Sequence, residues 1–340
     1  MASNDDHHPL SGIDHDDDLE RSTDPLVSSF PIGGGKRETK KPSFPGSHRT
    51  TNTLVEQGAL CHDAAVEESS PALPVRILAD PRALPKALVI FGTWLGVMLA
   101  LMLISTGGQK APLVTFVTRG PLWTPLAGVV FLGLTSSWVG WQGQGWKGPH
   151  WPAALQVIWP LYLVILPALG IACLLRTPAG VFGWSFFNCV FVGISEEWMF
   201  RGVLLKGLRS RLRLWPSVWI GSLLFGAVHT LNALRTGDWT ASCMQAGAAT
   251  VLGLILCAYR IRTQSLWPGI LTHMLWDFAL VTAAAGAMGT GVKPEATTRT
   301  PAMTAAMVFL ALFLAAGIAY ASFLLRPSKV PPEEVAEAVE

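Results

Sequence analysis

Ile194-Ser195-Glu196-Glu197-Trp198-Met199-Phe200-Arg201-Gly202 places two adjacent carboxylates and a guanidinium inside an otherwise apolar stretch. An ionised side chain at bilayer depth costs at least about 2.5 kcal/mol on insertion scales. Such residues usually face the interior of a helix bundle, pair with one another and mark a functional site. The stretch therefore predicts a membrane-spanning helix that carries a functional site.

The whole chain has the composition of a polytopic membrane protein. Half of its 340 residues are hydrophobic and only 14% are charged, which lies outside the usual range for soluble domains. The formal net charge of +2 is too small to favour a nucleic-acid partner. The five cysteines form neither a CxxC pair nor a disulfide framework, so we interpret them as packing residues.

Three regions follow from the distribution of charge. Residues 1–80 contain acidic and basic clusters with many Ser, Thr, Pro and Gly residues, which predicts a disordered tail. This tail lacks the apolar core of a secretory signal, so we expect it to stay in the cytoplasm. Residues 81–330 are predicted to form the transmembrane domain, and residues 331–340 a short C-terminal tail.

Apolar segments of about 20 residues predict an all-α transmembrane bundle of about eight helices. Lys and Arg are more frequent in the loops predicted to share a side with the N-terminus, in the direction that the positive-inside rule favours. An even number of spans would return the C-terminus to the cytoplasm. The predicted spans are residues 84–105, 121–141, 152–174, 181–205, 215–234, 241–259, 265–288 and 302–325.

The loop between the second and third predicted spans contains a G-x-G-x-x-G match at residues 143–148. A dinucleotide-binding fingerprint needs a preceding β-strand and a following helix. This match lies between two membrane spans and is followed by Pro149. We therefore give it no functional weight.

Polar residues recur at helical i, i+4 spacing on three separate apolar segments. The spacing of Glu197 and Arg201 allows an ion pair within one helix, which leaves Glu196 rotated by about 100° towards another face. The later segments carry Phe225 with His229 and His273 with Asp277.

These spacings allow Glu196, His229, His273 and Asp277 to form one buried cluster able to hold water. A glutamate beside an imidazole can act as general base towards a bound water. Imidazole donors can stabilise the oxyanion of a tetrahedral intermediate. The cluster is therefore suited to hydrolysis without a serine, cysteine or threonine nucleophile.

Other interpretations remain open from the residues alone. A single histidine on an apolar segment is more often a packing residue, and Phe200, Phe225, Trp198 and Trp276 are expected to pack. Intramembrane carboxylates and histidines also mark proton relays and transport paths. A non-catalytic protein that binds an ion, a proton or a partner helix is therefore the second hypothesis.

With EExxxR, FxxxH and HxxxD in that order on successive apolar segments, the chain resembles the CPBP family of CAAX proteases and bacteriocin-processing enzymes. This family includes the type II CAAX prenyl endopeptidases. The resemblance covers about residues 181–290 and extends to the flanking residues 200–202 and 265–273. It implies an all-helical intramembrane protease core with a cavity open to the membrane and to one aqueous face.

The resemblance also implies a role for each matching residue. Glu196 would activate the water with His229, His273 and Asp277 would form the oxyanion site, and Glu197 with Arg201 would hold the shape of the site. The prenyl endopeptidases carry asparagine at the position of Asp277. An ionised aspartate cannot donate to an oxyanion, so Asp277 would be protonated, orient His273 or bind a metal.

Metal dependence is open at this stage. Two histidines with carboxylates form an acceptable zinc ligand set, but the chain contains no HExxH zincin helix. We therefore favour glutamate catalysis without a cofactor, with zinc-dependent hydrolysis at the same residues as the alternative.

The sequence thus predicts an intramembrane endopeptidase that hydrolyses a peptide bond in a membrane-associated protein or peptide. The expected partners are this substrate and the lipid bilayer, with no nucleic acid. The expected location is the bacterial cell membrane, as a multi-pass protein with a cytoplasmic N-terminus. A prenylated CAAX protein would suit a eukaryotic host, and a peptide, a sorting-signal tail or a membrane-anchored regulator would suit a bacterial one.

Overall fold

The computed structural model describes residues 82–139, 141–289 and 296–330. The predicted tails, residues 1–80 and 331–340, lie outside the described residues. Within the described ranges the regular structure is helical, with no strand. The helices are α1 (Ala83–Thr106), α2 (Leu113–Arg119), α3 (Trp123–Val139), α4 (Trp151–Leu174), α5 (Ala179–Glu197), α6 (Leu205–Arg209), α7 (Leu214–His229), α8 (Asn232–Thr236), α9 (Trp239–Thr263), α10 (Trp267–Gly289) and α11 (Ala296–Leu324).

The predicted transmembrane helical bundle is confirmed. By length and composition, the described helices provide seven candidate membrane spans, and α2 with α3 would make an eighth if they are counted as one bent span. Large apolar side chains are exposed on the outside of the bundle, including Val89, Leu134 and Trp138. A lipid-facing surface accounts for this exposure, because hydrocarbon imposes no penalty on apolar side chains.

The second predicted span, residues 121–141, corresponds to α3 (Trp123–Val139), but the short helix that precedes it was not predicted. This helix, α2, meets α3 at an angle of 77°. Pro121 lies at their junction, and a proline disfavours helical geometry in the residue before it. The sequence signal for the break was therefore present at Gly120-Pro121.

Asn188 of α5 holds this break by satisfying backbone groups that the helices leave free. Its side-chain oxygen accepts from the amide of Leu122 at 2.8 Å. Its side-chain nitrogen donates to the carbonyls of Val117 and Gly120, each at 2.8 Å. The α2–α3 break is thus fixed against the helix that carries the two glutamates.

The start of α1 and several loops lie at one end of the bundle, which we call the basic end. Gly207 of α6 lies against Ala87 of α1. The loop after α3 reaches the start of α10, where the Leu266 amide donates to Gly145 at 2.7 Å. Lys and Arg are frequent at this end: Arg82, Lys86, Lys147, Lys206, Arg209, Arg211, Arg213, Arg260, Arg262, Arg326 and Lys329.

Contacts between distant parts of the chain show at which end of the bundle each helix begins and ends. The Ala111 amide, between α1 and α2, donates to Arg235 of α8 at 3.3 Å. Thr177, after α4, donates to Thr282 of α10 at 3.3 Å. Tyr320 of α11 donates to Val157 near the start of α4. The described chain therefore runs between the ends eight times, with α1 beginning and α11 ending at the basic end.

Small residues bring α7 and α9 close together beneath the site. Gly226 of α7 lies against Ala246 and Thr250 of α9, so that a side chain there would overlap Thr250. Gly253 of α9 lies against Ser222 and Phe225 of α7. Close approach of this kind is the usual use of small residues in membrane bundles, and it fixes the end of α7, where His229 lies.

Candidate active site

The two glutamates end α5, and the backbone changes there from α-helical to π-helical geometry. Glu196 and Glu197 are the last residues of α5, and Trp198–Leu204 forms a π-helical segment before α6. Segments of π-helix are rare and often occur at functional sites. The apolar pattern predicts one continuous helix over residues 181–205 and gives no signal for the π-helical segment.

Glu197 and Arg201 form a buried ion pair. Arg201 Nη1 donates to Glu197 Oε1 at 2.7 Å, and both side chains are 1% exposed. Arg201 Nη2 donates to the carbonyl of Gly253 at 3.2 Å. Its guanidinium lies 4.3 Å from the centre of the Phe225 ring. The structure therefore contains the ion pair that the spacing allowed, anchored to α9 and α7.

His273 of α10 lies between three carboxylates. Its Nδ1 is 3.1 Å from Glu197 Oε1. Its Nε2 is 3.5 Å from Asp277 Oδ2 and 3.8 Å from Glu196 Oε2. Because Nδ1 of His273 contacts Glu197, its Nε2 faces Glu196 and Asp277.

The orientation of His229 is set by its own helix. Nδ1 lies 2.7 Å from the carbonyl of Phe225. A carbonyl only accepts hydrogen bonds, so Nδ1 carries a proton, and in a neutral ring Nε2 is then the acceptor. That Nε2 lies 4.0 Å from Glu196 Oε2.

Glu196 lies where the two histidines converge. Its side chain is 18% exposed, and within the described chain its buried Oε2 has no hydrogen-bond partner. Distances of 3.8 and 4.0 Å to the two Nε2 atoms are too long for direct hydrogen bonds. They suit groups that bind one water molecule between them.

Glu196, His229 and Asp277 line a cavity of about 380 Å³. Most of its wall is apolar and comes from α1, α2, α5, α7 and α10. The cavity continues from Glu196 towards the end opposite the basic end, where α8 lines it. We call that end of the bundle the cavity end. Space of this size next to buried polar groups is typical of a binding site.

Phe225 connects the parts of the site, although its spacing predicted only packing. Its ring is fully buried and makes edge contacts with the rings of His229 and His273, with centroids 4.8 and 5.5 Å away. It also lies beneath Arg201. The phenylalanine of FxxxH therefore positions both histidines and the arginine.

Two glycines near the site were also missed. A Cβ atom at Gly269 would lie 2.9 Å from Glu197 Oε2. Gly253 supplies the carbonyl that accepts from Arg201. Gly269 follows Trp267-Pro268 at the start of α10, so it lies within the flanking residues 265–273 that carry the resemblance, although no role was predicted for it.

The described residues do not fit a metal centre. Across residues 82–139, 141–289 and 296–330, no group of three or more His, Cys, Asp or Glu side chains has an arrangement that could hold a metal ion.

The fold and the site define a polytopic helical membrane protein with a glutamate and histidine cluster at a buried cavity. Residues 178–279 match the family model described as type II CAAX prenyl endopeptidase Rce1-like. The match covers the segment with all three motifs and confirms the predicted resemblance to the CPBP intramembrane protease family. Searches of curated proteins and of solved structures gave no match.

Proposed function

We propose that this protein is an intramembrane endopeptidase in which Glu196 and His229 activate a water molecule. The family match supports a CAAX-type protease, a hydrolase of peptide bonds. The observation that carries the mechanism is the unpaired Oε2 of Glu196, which lies 3.8 and 4.0 Å from two imidazole nitrogens at the cavity wall.

In the first step, a water molecule held by Glu196 and His229 attacks the carbonyl carbon of the scissile peptide bond. A bond forms between the water oxygen and this carbon, and the carbonyl electrons move onto its oxygen. The water proton passes to Glu196 or to the unprotonated Nε2 of His229. This role uses the ring orientation that the Phe225 carbonyl imposes on His229.

In the same step, His273 would stabilise the negative oxygen. Protonated His273 can donate from Nε2 while Nδ1 remains bonded to Glu197. In the second step the carbon–nitrogen bond breaks, and the leaving amine takes the proton that came from the water. The products are a carboxylic acid and an amine.

Asp277 is assigned a positioning role. Its Oδ2 lies 3.5 Å from His273 Nε2, and its side chain is 33% exposed. Before the oxyanion forms, an ionised carboxylate at this place can accept from His273 Nε2 and hold the ring towards the cavity; the oxyanion then takes over this hydrogen bond. Of the three roles left open for Asp277, orienting His273 therefore fits the distances.

The apolar cavity wall supports a membrane-associated peptide or protein as substrate. Val117, Val192 and Leu280 are among the residues that line it. An apolar wall accepts apolar side chains that arrive from the bilayer without the cost of exposing them to water. A substrate that reaches the site from the bilayer can therefore place apolar residues beside Glu196.

The test compares the purified full-length protein with Glu196→Ala and Cys189→Ala in a peptide-library cleavage assay, with and without a chelator. Cys189 is a buried residue of the same cavity wall and has no role in the mechanism. We expect cleavage by wild type and Cys189→Ala, no cleavage by Glu196→Ala, and no effect of the chelator. Loss of cleavage with the chelator would support the zinc alternative, and no cleavage by wild type would favour the non-catalytic hypothesis.

A further inference from the structure

Three cations at the basic end, away from the catalytic cavity, form a cluster that we call the α9–α11 cations. Arg262 lies near the end of α9, and Arg326 and Lys329 follow α11. In the described chain, the residues that line the cavity include none from α11. The segment that matches the family model ends at residue 279. The cluster therefore lies outside the catalytic site and, at α11, outside the family match.

The ends of α9 and α11 pack against each other and bring these cations together. Ile261 and Leu325 belong to one buried core. Arg262, the neighbour of Ile261, lies near the side chain of Tyr320. Tyr320 and Phe323 are three residues apart and therefore share one face of α11. The packing thus places Arg262 beside the last turns of α11.

Phe323 lies beneath the other two cations. The guanidinium of Arg326 is 5.3 Å from the centre of its ring, and Nζ of Lys329 is 4.3 Å from it. Pro327–Lys329 forms one turn of 3₁₀-helix, in which the Lys329 amide donates to the Arg326 carbonyl at 2.8 Å. This turn directs both cations to the same ring. Like charges held this close repel each other, so the arrangement favours a ligand with negative charge.

No carboxylate of the described chain neutralises the α9–α11 cations. Two acidic residues end α5, one lies in α10, and one caps the start of α9, at the far end of that helix from Arg262. The ion pairs among the described residues include none of the three cations. The Nε of Arg262 is also buried without a hydrogen-bond partner in the same ranges. The acidic residues of residues 82–139, 141–289 and 296–330 are Glu196, Glu197, Asp238 and Asp277.

The surface of α11 beside the cations is apolar. Phe309, Leu312, Ile318 and Phe323 are large hydrophobic residues that this helix exposes. Residues 307–324 are long and apolar enough to cross a membrane, which places the cations at its surface. Lys and Arg residues at this level attract anionic lipid headgroups. A ligand with a phosphate at the cations and acyl chains along α11 therefore fits both features.

We propose that Arg262, Arg326 and Lys329 bind the phosphate of an anionic phospholipid, whose acyl chains lie along the exposed face of α11. A guanidinium can bind a phosphate through two parallel hydrogen bonds, and the lysine ammonium adds a compact positive charge. The bound lipid joins the ends of α9 and α11 at the membrane surface. The proposal does not depend on the proposed function, because no catalytic residue takes part in it.

The experiment is photo-crosslinking with two lipids that differ only in the headgroup. Nanodiscs of neutral lipid that contain the full-length protein receive a small fraction of phosphatidylglycerol or phosphatidylcholine, each with the same photoactivatable acyl chain. Labelled peptides are identified by mass spectrometry. We expect phosphatidylglycerol to label residues 318–330 at least about fivefold more than phosphatidylcholine does, which corresponds to about 1 kcal/mol. An excess of inorganic phosphate should not reduce this labelling, because free phosphate has no acyl chains to bind α11.

Variants then assign the preference to the α9–α11 cations. The triple variant Arg262→Gln, Arg326→Gln and Lys329→Gln is expected to be labelled equally by the two lipids. Lys147→Gln removes an exposed positive charge at the same end of the bundle and is the matched control; it should keep the full preference. Unfolding temperatures in neutral lipid show whether each variant is folded. The comparison of the two lipids on wild type needs no substitution, so it is informative even if the triple variant fails to fold.

Several results would overturn the proposal. These are equal labelling of residues 318–330 by the two lipids, an unchanged preference in the folded triple variant, loss of the preference in Lys147→Gln, or displacement by inorganic phosphate. A preference that appears only after Glu333→Gln and Glu334→Gln would assign the cations to that acidic stretch of the chain instead. Cleavage by Glu196→Ala would contradict the proposed function but leave this binding result intact.

Discussion

Glu196 and Glu197 are neighbours in the chain, yet their surroundings assign them different tasks. Glu197 is 1% exposed and is bonded to Arg201 and His273. Glu196 is 18% exposed, and its Oε2 has no hydrogen-bond partner in the described ranges. A carboxylate that already accepts from two partners maintains geometry, whereas one with an unpaired oxygen at a cavity can bind and deprotonate water. Helical rotation of about 100° per residue produces this division.

The Glu197–Arg201 ion pair is expected to support stability, and the contact of Glu197 with His273 is expected to support activity. Removing one partner of a buried ion pair costs about 3–5 kcal/mol, because the other charge stays buried. We expect Arg201→Met and Glu197→Leu each to lower the thermal unfolding temperature strongly. The double variant should be more stable than either single variant, yet inactive, because His273 has lost the acceptor at Nδ1.

Unfolding temperatures in detergent and cleavage rates at one temperature are the two measurements. The control is Arg119→Gln, which removes an exposed arginine from α2 and should change neither. An active double variant would contradict the role of Glu197 in holding His273.

Asp277 allows a prediction that distinguishes its possible roles. If it positions His273, Asp277→Asn keeps the shape and an oxygen acceptor, and should keep most of the cleavage rate. Asp277→Ala removes the acceptor, and should reduce kcat about 100-fold if the oxyanion donor is misplaced, by analogy with the loss of such a donor. Cleavage kinetics of the two variants, measured with the same peptide, provide the test. A similarly large loss in both would contradict a positioning role and favour a metal ligand.

At the scale of elements, α10 meets the end of α5 through a glycine. A methyl group at Gly269 would lie 2.9 Å from Glu197 Oε2. The other oxygen of this carboxylate, Oε1, is already bonded to Arg201 and His273, so the carboxylate has little freedom to move. We expect Gly269→Ala to reduce cleavage at least tenfold, because the carboxylate that orients His273 must shift. Gly183→Ala in α5 is the matched control, because nothing lies within 4 Å of the added Cβ.

Cleavage rate and unfolding temperature of both alanine variants are measured together. Equal rates in the two would show that the contact between Gly269 and Glu197 does not matter for the site.

The break between α2 and α3 depends on one side chain of α5. Asn188→Ala would leave two carbonyls and one amide without their observed partner. Unsatisfied buried polar groups cost about 1–3 kcal/mol each, so we expect a large fall in the unfolding temperature. Hydrogen exchange at the Leu122 amide should also become faster, which reports on the break itself.

Ser217→Ala provides the comparison for Asn188→Ala. Ser217 is equally buried, but its hydroxyl donates to the carbonyls of Leu212 and Arg213, which directly precede its own helix α7. We expect a small effect there, and a similar loss in both variants would argue against a special role for Asn188.

The sequence predicted the helices better than the connections between them. Apolar length defined the spans, and i, i+4 spacing located the polar clusters, because both depend on local periodicity. The close approach of Gly269 and the contact of Phe225 with His273 arise from packing between helices distant in the chain. No single segment contains that information.

The loop at residues 143–148 illustrates this limit. Its glycine pattern has no nucleotide-binding context, yet Gly145 and Lys147 accept hydrogen bonds from Leu266 and Ser265, which precede α10. Trp146 contacts the rings of Trp198 and Trp267. The loop therefore joins the basic end of α10 to the segment after Glu197, a role that only the folded chain reveals.

At the scale of the whole molecule, charge and cavity lie towards opposite ends. Lysines and arginines concentrate at the basic end, where α1 begins and α11 ends. The cavity continues from Glu196 towards the cavity end, where α8 and the α1–α2 loop meet. The positive-inside rule predicts a cytoplasmic basic end. The cavity would then receive its substrate from the non-cytoplasmic half of the bilayer.

Cysteine labelling tests this orientation directly. In a background without native cysteines, Lys147→Cys reports the basic end and Lys110→Cys the cavity end, and both positions are exposed. We expect a membrane-impermeant maleimide added to intact cells to label Lys110→Cys, and to label Lys147→Cys only after the cells are permeabilised. The reverse pattern would place the cavity on the cytoplasmic side. Labelling of both in intact cells would contradict the chain path, because an odd number of crossings, the passage through α2 and α3, separates the two loops.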